Sequence, residues 1–202
     1  MKKIVPILAI SSTIFFWGSS FPAMSFLLET SNPFILAAGR FSLAAFLSVI
    51  WCINNYKQKV ELNHLLRYFF AGFIGIFLYN VFLNNGQESV SAGASSFIVN
   101  CNPLFTALIG FFILKQKVSY IHWLGIIICM FGVGLISFDQ EGGLKIGSGA
   151  SLILFAAILT AIYFHLVKPL ILIYGAITST AYTIIFGTVP MLFWFPETYN
   201  FI

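Results

Sequence analysis

Long apolar runs separated by short polar stretches dominate this 202-residue sequence. A helix needs about 20 mostly apolar residues to cross about 30 Å of hydrocarbon. Seven runs predict transmembrane helices: residues 4–28, 33–53, 65–84, 92–114, 120–138, 148–167 and 170–195. The last run is long and irregular, and we predict that its span begins near Ala176. The pattern therefore predicts an all-α protein, a polytopic membrane helix bundle of about seven transmembrane helices.

Composition also indicates a membrane protein. Hydrophobic residues make up 59% of the chain and charged residues only 8%, whereas soluble domains contain about 25% charged residues. The first apolar run is too long for a signal peptide, so we interpret it as a retained span. The net charge of +4 is not gathered into a basic patch, so nucleic acid is not an expected partner. The three cysteines lie in separate apolar runs and predict neither disulfides nor a metal site.

The distribution of Lys and Arg predicts the orientation of the spans, because these residues stay on the cytoplasmic side. With the N-terminus inside, Lys145 is the only basic residue that falls outside, and Arg40 lies within the second span. The cytoplasmic set is Lys2, Lys3, Lys57, Lys59, Arg67, Lys115, Lys117 and Lys168. We therefore predict a multi-pass protein of the cell membrane with a cytoplasmic N-terminus.

Several short motifs follow one another along the first five runs. They are Trp-Gly-Ser-Ser-Phe-Pro at residues 17–22, small residues at 91–96, Asn-Pro-Leu-Phe-Thr-Ala-Leu at 102–108, Trp-Leu-Gly at 123–125 and Phe-Gly-Val-Gly at 131–134. In this order they resemble the EamA-type repeat of the drug/metabolite transporter superfamily, and the resemblance extends over about residues 7–185. One departure is visible, because the family turn usually carries Gly-Glu where this chain has Lys115-Gln116.

The resemblance implies two inverted five-helix repeats. Residues 1–138 are expected to form the first repeat, and residues 148–202 the first two helices of an incomplete second repeat. A shift of 143 residues places residues 17–22 over residues 160–165 and aligns Phe21 with Phe164. A unit with an odd number of spans returns with opposite orientation when it is repeated. Because the second repeat is expected to be incomplete, three interpretations stay open. The chain is a fragment, an interrupted reading frame, or a short form completed by self-association or by a partner that supplies the missing helices.

Polar residues inside the apolar runs are candidates for a transport pathway, because they are costly in lipid unless they face protein or water. The candidate substrate-binding residues are Trp17, Ser20, Arg40, Asn80, Asn100 and Tyr163. Each has a structural alternative, such as helix packing for Trp17 or interhelical hydrogen bonding for Asn80. Arg40 would attract an anionic group or pair with Glu88, and the alternative is a side chain that reaches the membrane interface.

Other residues have predicted roles in shaping the bundle. Pro22 and Pro103 are predicted hinges, because proline interrupts the hydrogen bonds of a helix. Asn84 and Gln87 are interpreted as the polar end of the third span. His165 is either a proton carrier or an interfacial residue, and His64 and His122 are predicted interface residues. Close helix packing is predicted at Gly72, Gly75, Gly125, Gly132 and Gly134.

The function implied by the resemblance is that of an integral membrane secondary transporter, a permease or exporter. It would move small organic solutes such as amino acids outward, by alternating access between inverted repeats. The expected partners are the lipid bilayer and a small-molecule solute. Enzyme motifs such as a phosphate-binding glycine loop do not occur in the sequence, so we expect neither an enzyme nor a cofactor. The alternative is a non-transporting membrane subunit or an inactive fragment of a transporter.

Overall fold

The fold is a bundle of helices joined by short connections. The computed structural model describes residues 4–30, 32–55, 60–117, 119–138 and 148–194, and these residues contain no β-strand. The helices, in chain order, are α1 (Ile4–Leu28), α2 (Pro33–Asn54), α3 (Leu62–Gln87), α4 (Ala92–Phe112), α5 (Tyr120–Phe138), α6 (Ser148–Tyr174) and α7 (Ala176–Thr188). A 3₁₀ turn over Val189–Trp194 extends α7. The predicted all-α bundle is confirmed.

The helices match the dimensions of a membrane. Six of them, α1 to α4 with α6 and α7, are long and apolar enough to cross a bilayer, which makes the chain a multi-pass membrane protein. The orientation stays a prediction, and Lys2, Lys3, Lys57, Lys59 and Lys145 lie outside the described residues. Residues 139–147 also lie outside them, so the division of the chain between 138 and 148 stays a prediction as well.

Helix α6 lies at the centre of the bundle. It packs against α3 along its length, against both halves of α4 and against α7. Helix α7 packs against α2 and α3, and α1 lies mainly against the first half of α4. The side chains of Ile153, Ala156 and Ala157 on α6 are fully buried. The last two helices therefore share one core with the helices that precede them.

Glycines allow α3 to approach α6 and α7 closely. A Cβ at Gly72 would lie 2.5 Å from the Thr183 carbonyl oxygen and 2.6 Å from the Gly187 nitrogen. A Cβ at Gly86 would lie 2.7 Å from the Gly149 carbonyl oxygen. Contacts under 3.0 Å are essentially never seen for a real Cβ. The predicted packing role of Gly72 is confirmed.

The other glycines predicted to pack closely differ in their surroundings. At Gly75 a Cβ would overlap the ring of Tyr163, and at Gly132 it would lie 2.8 Å from a phenylalanine ring of α4. Among the described residues nothing lies within 4 Å of such an atom at Gly125, which is exposed on α5, so its predicted packing role is wrong. The predicted packing role of Gly134 lies outside the described residues.

Helix α6 continues through Pro169, so its predicted end at residue 167 is wrong. A proline inside a helix leaves the carbonyl of residue i−4 without its donor, and that residue here is His165. The Arg67 side chain of α3 supplies donors at this point. Its Nε donates to the Leu166 carbonyl over 2.7 Å, and its Nη2 donates to the His165 carbonyl over 3.4 Å. The sequence pattern missed the continuation because the compensating donor lies on another helix.

Replacing Arg67 with methionine is expected to destabilise the protein by about 1.5–3 kcal/mol, which is typical of hydrogen bonds from a charged group. In a Pro169→Ala background the restored N–H pairs with the His165 carbonyl, so the same substitution is expected to cost about 1 kcal/mol less. Unfolding of the four purified proteins by sodium dodecyl sulfate in mixed micelles would measure this coupling. An equal cost of Arg67→Met in both backgrounds would contradict it.

Polar and aromatic contacts join the start of α3 to α6 and α7. The Nδ1 of His64 lies 2.8 Å from the Tyr174 hydroxyl oxygen, and the Tyr68 hydroxyl lies 2.8 Å from the Ser179 Oγ. The ring of Tyr68 also stacks on that of Tyr182, with 5.3 Å between centroids. His64, predicted as an interface residue, thus also takes part in helix packing.

The other end of α3 is joined to α1 and α2 by two buried amides. Asn84 and Gln87 are 0% and 4% exposed. Asn84 Nδ2 donates to the Pro33 carbonyl over 3.1 Å, and Gln87 Nε2 donates to the Phe21 carbonyl over 3.3 Å. The sequence predicts only a polar end of the span here, and the structure instead shows interhelical hydrogen bonding.

Candidate functional site

A cavity of about 690 Å³, called here the central cavity, lies between α1, α2, α3 and α6. Such a volume is within the range of small-molecule sites, about 300–1,000 Å³. The walls are largely aromatic: Phe16, Trp17, Phe21, Phe41, Tyr79, Tyr163 and Phe164. Hydroxyl and amide groups come from Ser12, Thr13, Ser20, Asn80 and Thr160. The arrangement can surround an apolar body and bind a few polar groups at fixed positions.

The central cavity brings together five of the six predicted substrate-binding residues, namely Trp17, Ser20, Arg40, Asn80 and Tyr163. They come from the first three helices and from α6. Asn100 does not lie in the cavity: it is exposed, and its Nδ2 donates to the Ser96 carbonyl over 2.8 Å. The binding role of all six residues stays a prediction.

Arg40 is the only cationic side chain among the described residues of the cavity wall. Its guanidinium reaches α1 and contacts the Met24 thioether, and its Cζ lies 6.0 Å from the centroid of the Phe41 ring. Within the described ranges Arg40 forms no ion pair, and it does not pair with Glu88. A guanidinium beside apolar groups binds a carboxylate strongly, because the hydrogen bonds are charge-assisted and geometrically matched.

Contacts with the backbone of α3 position two polar residues of the cavity, Asn80 of α3 itself and Tyr163 of α6. Asn80 is 3% exposed, and its Nδ2 donates to the Ile76 carbonyl over 2.7 Å. Its Oδ1 makes no hydrogen bond among the described residues, so it is available to a donor in the cavity. The ring of Tyr163 packs on Gly75, where a larger residue would displace it. A glycine on α3 thus sets where this tyrosine of α6 lies.

Helix α1 contributes Trp17 and Ser20 to one wall. The Ser20 hydroxyl donates to the Trp17 carbonyl over 2.6 Å, which leaves its oxygen able to accept. The Trp17 side chain is 47% exposed, and its indole N–H has no partner in the described part of the chain. Helix α1 continues through Pro22, whose missing N–H leaves the Gly18 carbonyl without its helical donor. The hinge role of Pro22 stays a prediction.

Helix α4 is interrupted near its middle. Its helical segments are Ala92–Val99 and Asn102–Phe112, and Asn100 and Cys101 form a turn between them. Pro103 lies in the first turn of the second segment, where a helix needs no backbone donor. The interruption coincides with the predicted kink, and the hinge role of Pro103 stays a prediction.

The sequence did not predict several residues of the central cavity, including Met24 and Tyr79. Both lie in ordinary apolar runs, where only the tertiary arrangement shows which residues face the cavity. Helix α3 is also π-helical over Phe73–Leu78, immediately before Tyr79. A π-helical turn changes the face that the following residues present, and nothing in the apolar run predicted it.

One signal in the sequence could have identified further cavity residues. The shift of 143 residues pairs positions on α1 with positions on α6, and three of these pairs have both members in the cavity wall. The pairs are Trp17 with Thr160, Ser20 with Tyr163 and Phe21 with Phe164. Corresponding faces of α1 and α6 therefore border the same space.

Comparisons with known proteins identify relatives. The EamA-like transporter family matches residues 4–138. The uncharacterized transporter YdfC of Bacillus subtilis (strain 168) is 33% identical over 196 residues, which are 96% of this chain and 64% of YdfC. An uncharacterized transporter of Archaeoglobus fulgidus is 29% identical over 198 residues, 98% of this chain and 69% of that protein.

A third relative has a more specific name. The probable terminal-alkyne amino-acid exporter of Streptantibioticus cattleyicolor is 25% identical over 192 residues, 95% of this chain and 64% of the exporter. The chain thus spans about two thirds of the length of these curated relatives. No solved structure matches it.

Proposed function

Since the chain belongs to the EamA-like transporter family, we propose that it moves small organic metabolites across the cell membrane as a secondary transporter, in the direction of export. The central cavity is the observation that carries this proposal. It surrounds about 690 Å³ with polar groups from four membrane helices. The names of the relatives, which are transporters and an exporter, support the same function.

The proposed substrates carry a carboxylate on an apolar or aromatic body. Arg40 would bind the carboxylate, and the aromatic walls would surround the body of the solute. The Oδ1 of Asn80 would accept a hydrogen bond from an amino group. No acidic side chain lines the described walls, so a purely cationic solute would find no counter-charge. The name of the Streptantibioticus relative, an amino-acid exporter, fits this class.

The proposed mechanism is alternating access between inverted repeats, with residues 1–138 as one repeat and residues 148–202 as part of the other. The matching cavity faces of α1 and α6 support this division, because an inverted repeat places corresponding residues around one axis. The interruption of α4 before Pro103 and the proline of α1, Pro22, are the proposed hinges. At both points some of the backbone hydrogen bonds of a regular helix are missing.

Replacing Asn80 with alanine is expected to reduce export of an aromatic amino acid about 5- to 10-fold, because one hydrogen bond to the solute is lost, roughly 1–1.5 kcal/mol. Cells that produce the protein would be loaded with the dipeptide alanyl-phenylalanine, which peptidases hydrolyse inside. Free phenylalanine outside would then be measured over time.

Asn85→Ala is a matched control for this experiment. Asn85 lies on the same helix and its Nδ2 also donates one turn back, to the Val81 carbonyl over 2.6 Å, but it does not line the cavity. Its export rate is expected to equal that of the unmodified protein. Equal rates for the Asn80 and Asn85 variants would contradict the central cavity as the binding site. If cells with the unmodified protein released phenylalanine no faster than cells without the protein, phenylalanine export would be contradicted.

A further inference from the structure

We propose that the protein has a second binding site, for the phosphate group of a phosphate ester. It lies in a separate cavity of about 450 Å³ between α4, the α4–α5 connection and α6, called here the basic cavity. The site would hold a phosphate-bearing lipid headgroup or a soluble phosphate ester, which share the same anionic group. This inference does not depend on the proposed export function.

The walls of the basic cavity are positively charged. Lys117 of the α4–α5 connection and Lys168 of α6 supply two ammonium groups. The acidic residues that the structure describes are Glu29, Glu61 and Glu88, and none of them lines the cavity. No carboxylate of the described residues neutralises these two cations, and a bound phosphate group would supply the missing negative charge.

Other polar groups complete the walls, and several of them are held in place. His165 Nε2 lies 3.0 Å from the Thr106 carbonyl oxygen, so this nitrogen carries a proton. His122 Nδ1 lies 2.6 Å from the Ser119 Oγ. The carboxamides of Gln116 and Asn102 add further N–H groups that can donate to phosphate oxygens. His165, considered above as a proton carrier, is therefore part of this wall.

The α4–α5 connection folds back onto α4 and so brings its side chains to the basic cavity. The N–H of Gln116 donates to the Gly110 carbonyl over 2.9 Å. Lys115 adopts a φ of 52°, a conformation that favours glycine. This is the position where the resemblance implies Gly-Glu instead of Lys-Gln. A glutamate at position 116 would place a carboxylate in the wall, and the glutamine found there leaves the wall cationic.

The basic cavity is distinct from the central cavity. The ring of Phe164 lines both of them, and Arg40 lines only the central one. The basic cavity extends from the middle of α4 to the α4–α5 connection, on the side of the bundle that the charge distribution predicts to face the cytoplasm. A phosphate there is available from anionic lipid of that leaflet or from a soluble metabolite.

The test measures binding to the purified protein in detergent, without any transport. Native mass spectrometry would detect retained phosphatidylglycerol, and calorimetric titration would detect binding of sn-glycerol 3-phosphate. Removing both cations with Lys117→Gln and Lys168→Gln is expected to weaken binding about 10-fold or more. Gln116→Glu is expected to weaken it about 5-fold, because the new carboxylate repels the phosphate.

Lys115→Gln is the matched control, because Lys115 belongs to the same connection but does not line the basic cavity. Its affinity is expected to stay within about 2-fold of the unmodified protein. Retention of phosphatidylglycerol alone assigns the site to lipid, and binding of sn-glycerol 3-phosphate assigns it to a soluble ester. The proposal would be overturned if neither compound bound. It would also be overturned if the Lys117/Lys168 double variant and the Gln116→Glu variant bound as tightly as the Lys115→Gln control.

Discussion

Replacing Gly187 with leucine is expected to destabilise the folded protein strongly and to lower its melting temperature. A Cβ at this position would overlap the Ile76 side chain and lie 2.6 Å from the Gly72 carbonyl oxygen. Overpacking commonly costs about 1–3 kcal/mol and occasionally more. A clash with a backbone carbonyl is expected at the upper end of this energy range, because a carbonyl cannot rotate away as a side chain can. Against a total stability of about 5–15 kcal/mol, such a loss is large.

Size-exclusion chromatography in mild detergent, with a thermal melt of the eluted protein, would measure this effect. Gly125→Leu is the control, since no described residue lies within 4 Å of a Cβ added to that exposed residue of α5. Its elution and melting temperature are expected to be unchanged. A Gly187→Leu protein that elutes and melts like the original would show that α3 and α7 do not cross at these glycines.

Replacing Arg40 with glutamine is expected to weaken binding of carboxylate solutes about 10- to 100-fold. The expectation follows from the loss of charge-assisted hydrogen bonds, about 1.5–3 kcal/mol. Arg40→Lys keeps the charge but loses the bidentate geometry, so an intermediate affinity is expected. Competition between radiolabelled phenylalanine and unlabelled analogues, on purified protein, would measure the affinities.

Two analogues separate the charge effect from the apolar contacts. Phenylpropionate keeps the carboxylate and lacks the amine, whereas phenethylamine keeps the amine and lacks the carboxylate. The unmodified protein is expected to prefer phenylpropionate, and Arg40→Gln is expected to lose that preference. Stability is expected to change little, because Arg40 has no ion pair within the described residues. An Arg40→Gln protein with an unchanged preference would contradict the role of Arg40.

The course of the helices was largely predictable from the sequence, because long runs with few charges have one favourable environment. The bounds of α1 and α5 agree with those predicted from the apolar runs. The end of α6 was not predictable, because Pro169 signals a helix end unless a donor such as Arg67 compensates. Local patterns do not include contacts between distant helices.

The central cavity was predictable in part, for a related reason. Arg40 and Asn80 stand out because polar groups inside apolar runs need a partner or a solvated surface. Asn100 is polar and lies within an apolar run as well, but it falls in the turn that interrupts α4 and is exposed outside the cavity. Tyr79 carried no signal, since an aromatic residue in a span usually contacts lipid or other helices.

The central position of α6 affects how the protein is assembled during translation. Helices α3 and α4 are joined by residues 88–91, yet α6 packs against both of them. At about 5–20 residues per second, synthesis from the end of α4 at Phe112 to the end of α6 at Tyr174 takes several seconds. Throughout that interval the nascent hairpin exposes to lipid the groove that α6 later fills. Completion of the bundle is therefore a late event, after membrane insertion of its first helices, and the open hairpin is the species that membrane chaperones and proteases encounter.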